Sequence, residues 1–492
     1  RYTMVGDMDD FPFKDQSGKL QAIASFNGVE VDYFDGWPRA GGAAGVVEFD
    51  GPGMDVEASV ENIGGAVVDR MTASIADFKN PVLDLNYQSA TKLPSLVGFI
   101  KQTPLLDGLE LDPEQFVFDG DAEISGHLHS RLGGSEEPIQ VNGALTMKGN
   151  RFTDLVSDVV LEDIEGVLNY SHEGLKAVEF PANFRGYPVL VDVISQWDAD
   201  EVFRMWLRGD LPVAEVVPEV LFEREPLFHR ATGSSRWDVS LRVVTPEGGG
   251  DRETWLDLFS SLEGVSIDMP APLAKPAEQR WPLLVRYPVK AGQQIMTADF
   301  IDRMQLKMEL SKEDYSPIRA AVRLGGKAES LPEPGLFTVS GTTPEFDLDG
   351  WIDVVVDRFA DAEEDDGLTL QNAGLQAGRV RIFDRQFDAV DLGMRYENGV
   401  ITGNFDGDDI NGVVNYYKNE SGSHSMSGEF ERLIMPDALA QGLTMESDPA
   451  ELPEIHFYSR EFGYLGVDMG ETRIEGYPVS NGFHIESVEA QS

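Results

Sequence analysis

The chain has 492 residues, with 86 Asp and Glu against 39 Lys and Arg and a formal net charge of −47. A surface this acidic repels phosphate backbones and excludes nucleic acid as a partner, while the absence of cysteine excludes thiolate metal sites, thiol nucleophiles and disulfides. An aromatic content of 10% argues against a disordered acidic tail, so the length implies about two to four domains or one elongated repeat architecture.

No apolar run of about 18 residues occurs, and the chain opens at Arg1 with neither Met nor a signal-type segment. Both features predict a piece of a longer protein, with any anchor or signal lying outside it.

In chain order, the dominant pattern is strict alternation, as in strands with one apolar and one polar face. It puts Met54, Val56, Ala58 and Val60 on one side, and later Ile164, Gly166, Leu168 and Tyr170. Leu96, Phe99 and Ile100 predict a short helix ending before Pro104, and Val213 to Phe228 a second, interrupted by Pro218. Trp237, Val239, Leu241 and Val243 alternate with Arg236, Asp238, Ser240 and Arg242. Trp255 to Leu262 fits strand or helix. Val265, Ile267 and Met269 then lead into a segment with prolines at 270, 272, 276 and 282, after which Leu283, Val285 and Tyr287 resume the alternation. Proline cannot donate to a ladder, so this segment is expected to leave the sheet and cross over to re-enter it.

Met304, Leu306, Met308 and Leu310 form a further apolar face, as do Val390, Leu392, Met394 and Tyr396. Between them, Asp349 is the expected N-cap of a helix carrying Trp351, Val354, Val355 and Phe359, followed by a solvated acidic run at 361–366. Glu397-Asn398-Gly399 and Asp406-Gly407-Asp408 read as hairpin turns. VRIFDRQFDAVDLGM from Val380 resembles IHFYSREFGYLGVDM from Ile455, a faint repeat at an offset of 75 residues. Roughly twenty strands are expected in all.

Motifs for chemistry are weak. His127 and His129 in GHLHS share one face of a strand, but no third ligand is close in sequence, so they read as polar-face residues. Asp406, Asp408 and Asp409 lack the closing Glu of a calcium loop, His172 in HEGLK lacks a second zinc-binding His, and Gly326-Lys327 is followed by Ala. No nucleophile is paired with a base, so the chain is not expected to be an enzyme and no cofactor is expected.

Amphipathic strands hide their apolar faces in tandem β-sandwiches, in a barrel, or in one long sheet curled into a trough. From pattern alone the sandwiches are the simpler reading. At about 4.8 Å per strand, twenty strands side by side extend roughly 95 Å.

Further segments bear on that choice. Met269-Pro270-Ala271-Pro272-Leu273-Ala274-Lys275-Pro276-Ala277 followed by Pro282-Leu283-Leu284-Val285 resembles a recurring signature of the YhdP members of the AsmA-like bacterial proteins, relatives of TamB. FPFKDQSGKLQA from Phe11, DGWPRAGGAAGVVEFDG from Asp35, FIKQTPL from Phe99, DAEISGHLH from Asp121 and GLFTVSGTTPEFDLDGW from Gly335 resemble the family in the same order. The resemblance favours strand for Trp255 to Ser260. It implies a mainly β fold, an elongated and highly curved antiparallel trough with a few short helices, with residues 1–245 and 246–492 as consecutive parts. It further implies a periplasmic segment of a conduit, tethered to the inner membrane by a segment outside this chain, that carries phospholipid between inner and outer membranes. The expected partners are therefore phospholipid acyl chains and the two membranes. The expected groove lining is Trp237, Val239, Leu241, Val243, Val265, Ile267, Leu283, Val285, Met304, Leu306, Met308, Leu310, Val390, Leu392 and Met394. A non-catalytic envelope scaffold that binds proteins is the alternative.

Overall fold

A computed structural model describes all residues except 11–17, 35, 104–112, 133–138, 156–158, 197–198, 218–225, 247–248, 291–293, 314–315, 329, 353, 355–367, 383–384, 398, 419–422, 437–451, 481 and 492. The described chain is mainly β, with a few short helices. It divides into two compact units, Arg1–Asp210 with Trp237–Trp255, and Leu211–Arg236 with Leu256–Ser492.

The first unit contains β1 (Tyr2–Val5), β2 (Lys19–Val31), β3 (Ala40–Asp50), β4 (Gly53–Ile63), β5 (Ala66–Ile75), β6 (Val82–Lys92), β7 (Phe116–Asp119), β8 (Asp121–Arg131), β9 (Gln140–Asp154), β10 (Val159–Ser171), β11 (Gly174–Phe184), β12 (Tyr187–Gln196) and most of β13 (Glu201–Pro212). These strands pair antiparallel in sequence order, with β8 beside β6. β7 extends the β8 ladder along β9. Asn150 spans the kink between β7 and β8, its amide donating to the carbonyls of Asp119 and Asp121. The boundary between units falls within β14 (Ala231–Val244) and β15 (Glu253–Ser260). The second of these confirms strand over helix for Trp255 to Ser260.

In the second unit the strands are β16 (Val265–Ile267), β17 (Leu283–Lys290), β18 (Ile295–Phe300), β19 (Met304–Leu310), β20 (Pro317–Leu324), β21 (Leu336–Thr343), β22 (Phe346–Asp347), β23 (Thr369–Ile382), β24 (Arg385–Glu397), β25 (Val400–Asp406), β26 (Ile410–Lys418), β27 (His424–Met435), β28 (Glu454–Tyr464), β29 (Val467–Val479) and β30 (Gly482–Gln491). Most neighbours are antiparallel. β20 with β21, β21 and β22 with β23, and β27 with β28 are parallel, which the alternation pattern did not reveal. Parallel neighbours cannot be joined by a hairpin, and the residues between these strands lie partly outside the described ones.

Thirty strands are present among the described residues, against the twenty expected. The shortfall has a physical cause: several strands break strict alternation. Asp163 and Glu179 adopt left-handed backbone conformations (φ 51° and 55°) at register shifts between Leu161 and Ile164 and between Ala177 and Phe180. Such bulges put residues three apart on one face. Val390 and Phe387 are both buried for the same reason, because Ala389 between them has φ 51°.

Helix α1 (Leu93–Lys101) forms where Leu96, Phe99 and Ile100 predicted it, with proline in its first turn. Helix α2 covers only Val213–Val216, and residues 218–225 of that prediction lie outside the described ones. The next helix begins at residue 348, and its cap is Asp347, whose carboxylate accepts from the Gly350 N–H at 3.2 Å. Asp349, the expected cap, lies inside the first turn; Asp347 carries the same side chain in the position that reaches the free amide. Val354 is buried, while Val355, Phe359 and the acidic run 361–366 lie outside the described residues.

The 75-residue match does not align equivalent elements. Arg385 opens β24, paired with Ile382 at the end of β23, whereas its counterpart Arg460 lies inside β28. Asp406 and Ile410 do flank a hairpin turn, with Asn411 donating to the Asp406 carboxylate. Asn398, in the other expected turn, lies outside the described residues, though Glu397 pairs with Val400 across it.

Candidate functional site

Cross-strand register fixes which side chains share a face, because directly opposed residues point to the same side of a sheet. In the second unit one row runs through thirteen successive strands: Val285, Ala298, Leu306, Val322, Val339, Ala373, Met394, Gly403, Val414, Gly428, Phe457, Ile474 and Val488. Every position is apolar. Twelve strand spacings of about 4.8 Å make this lane about 58 Å long, measured along the ladder.

The adjacent row, two residues along each strand, passes through Leu283, Phe300, Met304, Leu324, Gly341, Leu375, Leu392, Phe405, Gly412 and Phe430. From Leu324 onward its side chains are deeply buried and join Val380, Phe387, Val390, Ile410 and Leu433 in one core. Leu348, Trp351 and Ile352 of the capped helix pack into the same core. Trp351 stacks on Phe346 at 6.3 Å and donates its indole N–H to the Ala271 carbonyl at 2.9 Å. By contrast, Val285, Leu306, Val322, Val339 and Met394 of the lane are only half-buried.

The first unit repeats the arrangement. Ala24, Val47, Val56, Ala73, Leu85, Leu128 and Val141 form a row across seven strands. Beside it run Phe26, Gly45, Ala58, Met71, Tyr87, Gly126, Gly143 and Tyr170. On its far side α1 covers the same face, with Leu93 and Leu96 packed on Ala122, Ile124, Leu145 and Met147. The opposite face is polar. Its ion pairs include Arg70 with Glu57 at 3.1 Å and Lys148 with Glu123 at 3.0 Å, exposed contacts worth about 0–1 kcal/mol each.

The residues expected to line a groove fall as follows. Leu283, Val285, Met304, Leu306, Met308, Val390, Leu392 and Met394 share the apolar face of the second unit; Met308 is paired between Met296 and Ala320. Leu310 is buried at the end of β19. Trp237 and Val243 are buried and Val239 and Leu241 half-buried on β14. Val265 and Ile267 lie on the three-residue β16, which pairs with the start of β14.

The proline segment does leave the ladder, but first it folds back on β16. Ile267 and Lys275 exchange backbone hydrogen bonds at 2.8 and 3.0 Å. Lys275 is 2% exposed, and its ammonium donates to the carbonyls of Leu262 (2.7 Å), Val265 (2.6 Å) and Pro276 (3.2 Å). Burial lowers its pKa, against the opposing pull of Glu278 and Glu263. The motif lysine is thus a staple holding the segment to β16.

His127 and His129 face the polar side, both against one oxygen of Asp84, at 3.3 and 2.8 Å. The two imidazoles lower the Asp84 pKa, His129 most. Among the described residues no group of three or more His, Cys, Asp or Glu is arranged to hold a metal, and no helix is long and apolar enough to cross a membrane.

One feature of the apolar face was not legible in the sequence. The hydroxyls of Tyr87 and Tyr170 meet at 2.6 Å across the two intervening strands, and Tyr170 donates to the Ser125 carbonyl at 3.0 Å. They lie over Gly126 and Gly143, where any side chain would collide with the phenols or, at Gly143, with the Ser125 carbonyl. The only sequence signal is two glycines at inward positions of strands, where glycine weakens the strand unless something approaches closely. Gly143→Ala is expected to lower stability by about 1–3 kcal/mol through overpacking; an unchanged denaturation midpoint would contradict this.

Open ladders that each carry an apolar face, flanked by short covering helices, define an open-sheet, mainly β class of protein. The chain belongs to the YhdP family, whose model matches residues 1–492. It is 24% identical over 287 residues to the intermembrane phospholipid transporter YhdP of Escherichia coli (strain K12), a match covering 58% of this chain and 22% of that protein. The chain thus matches about a fifth of the length of that relative.

Proposed function

We propose that this chain is a periplasmic segment of a conduit that moves phospholipid between the inner and outer membranes, tethered to the inner membrane by a segment outside the chain. The observation that carries this is the apolar lane of thirteen residues from Val285 to Val488. Moving a chain of ~16 carbons through water exposes it at a cost of ~10 kcal/mol, at ~0.8 kcal/mol per CH₂. An unbroken apolar row lets acyl chains shift from strand to strand without that exposure, and headgroups stay in water. Half-buried residues such as Val285, Leu306, Met308 and Met394 touch the chains, while Val390 and Leu392 form the floor beneath. Trp237, Val239, Leu241, Val243, Val265, Ile267, Leu283, Met304 and Leu310 complete the lining, with residues 1–245 and 246–492 as consecutive stretches of the path. The name of the Escherichia coli relative supports the cargo.

Photo-crosslinking residues at Val322 and Val339 are expected to capture phospholipid in cells, and ones at their outward neighbours Arg323 and Ser340 are not. Equal capture on both faces would refute the conduit, and capture of protein alone from the apolar face would favour a scaffold.

A further inference from the structure

Several inward glycines on the apolar face are covered by neighbouring rings. A Cβ on Gly428 would meet Phe430 at 2.6 Å and Phe457 at 2.9 Å, and one on Gly166 would meet Phe180 at 2.7 Å. Phenylalanine therefore suffices to cover such a glycine. Over Gly126 the rings are tyrosines, and a Cβ there would lie 2.5 Å from the Tyr87 hydroxyl and 2.6 Å from that of Tyr170. Covering the glycine does not account for the two hydroxyls.

Each phenol has one proton to donate. Tyr170 gives its own to the Ser125 carbonyl, so the 2.6 Å bond between the hydroxyls is donated by Tyr87. Turning the Tyr87 O–H elsewhere leaves the Tyr170 bond intact and deprives Tyr170 only of an accepted hydrogen bond, a smaller penalty than an orphaned donor. Tyr87 is thus the donor free to be redirected. It stands two residues from Leu85, a member of the apolar row of the first unit, on the same face of β6. Burial raises the pKa of both phenols, so both keep their protons at physiological pH. The histidines of β8 face the other side of the sheet, so they supply no cation for a phosphate on this face. The partner this arrangement suits is an uncharged acceptor at the border of an apolar chain.

We propose that the Tyr87 hydroxyl donates a hydrogen bond to the ester carbonyl of a phospholipid lying in the apolar row of the first unit, which makes Tyr87 a specificity-determining residue for ester-linked lipid. The proposal rests on the conduit reading above. Tyr170 is the hydroxyl that accepts the Tyr87 proton when no lipid does.

The test is native mass spectrometry of the chain equilibrated with equal amounts of a diacyl phospholipid and its dialkyl ether analogue, matched in headgroup and chain length. One neutral hydrogen bond predicts that the wild-type chain retains the ester lipid over the ether by about three- to tenfold. Tyr87→Phe brings the ratio to about one, whereas Tyr170→Phe preserves the preference, because Tyr87 keeps its proton. Equal retention by the wild-type chain, a preference that survives Tyr87→Phe, or one lost equally in both variants overturns the proposal while leaving the conduit standing. Retention of neither lipid by the wild-type chain overturns the conduit reading, and this proposal with it.

Discussion

On the proposed conduit function, Leu306→Asp is expected to slow lipid transfer by the full-length protein at least a hundredfold while leaving it folded. Leu306 sits in the thirteen-residue lane between Ala298 and Val322 and is half-buried, so a carboxylate there reaches water and the fold tolerates it. An acyl chain drawn over the same position must strip that water away. An ionised carboxylate resists desolvation by several kcal/mol, which corresponds to at least a hundredfold slower passage at about 1.4 kcal/mol per tenfold. The outward neighbour Lys307 provides the control, since Lys307→Ser changes the polar face of the same strand and should leave transfer near wild type. Outer-membrane lipid balance in cells, read beside the denaturation midpoint of the purified variant, checks both halves of the expectation. Normal transfer by a folded Leu306→Asp protein would refute a continuous apolar path.

Lys275→Met should be the most destabilising single change in the proline segment, by about 3 kcal/mol. Its methylene stem is replaced almost isosterically, but the carbonyls of Leu262, Val265 and Pro276 lose their shared donor in a buried site. Each such unsatisfied group costs about 1–3 kcal/mol, reduced where water can enter. The loosened segment also carries the Ala271 carbonyl that accepts from Trp351 and from the Asp347 N–H, so the helix packed into the core of the second unit should loosen with it. Urea titration followed by tryptophan fluorescence reports both events. A midpoint equal to wild type would show that the lysine is not a staple.

Some of this protein was legible in the chain itself. The alternation of Met54 to Val60, Met304 to Leu310 and Val390 to Tyr396 determined that the protein is mainly β with one apolar face, because the pleat of a strand has period two and the side chains must follow it. The four prolines after Met269 determined that the chain leaves the ladder there, because they have no N–H to give.

Only the tertiary structure decided how these faces join. Register is set between strands: bulges at Asp163 and Glu179 shift the alternation inside β10 and β11 and so hide it from a period-two reading, and parallel pairs such as β27 with β28 leave no mark on the period of a single strand. The same holds for Lys275, whose burial against three carbonyls depends on residues 13, 10 and 1 positions away folding around it. It holds equally for Tyr87 and Tyr170, 83 residues apart, whose hydroxyls meet only because two glycines on the intervening strands leave room for their rings.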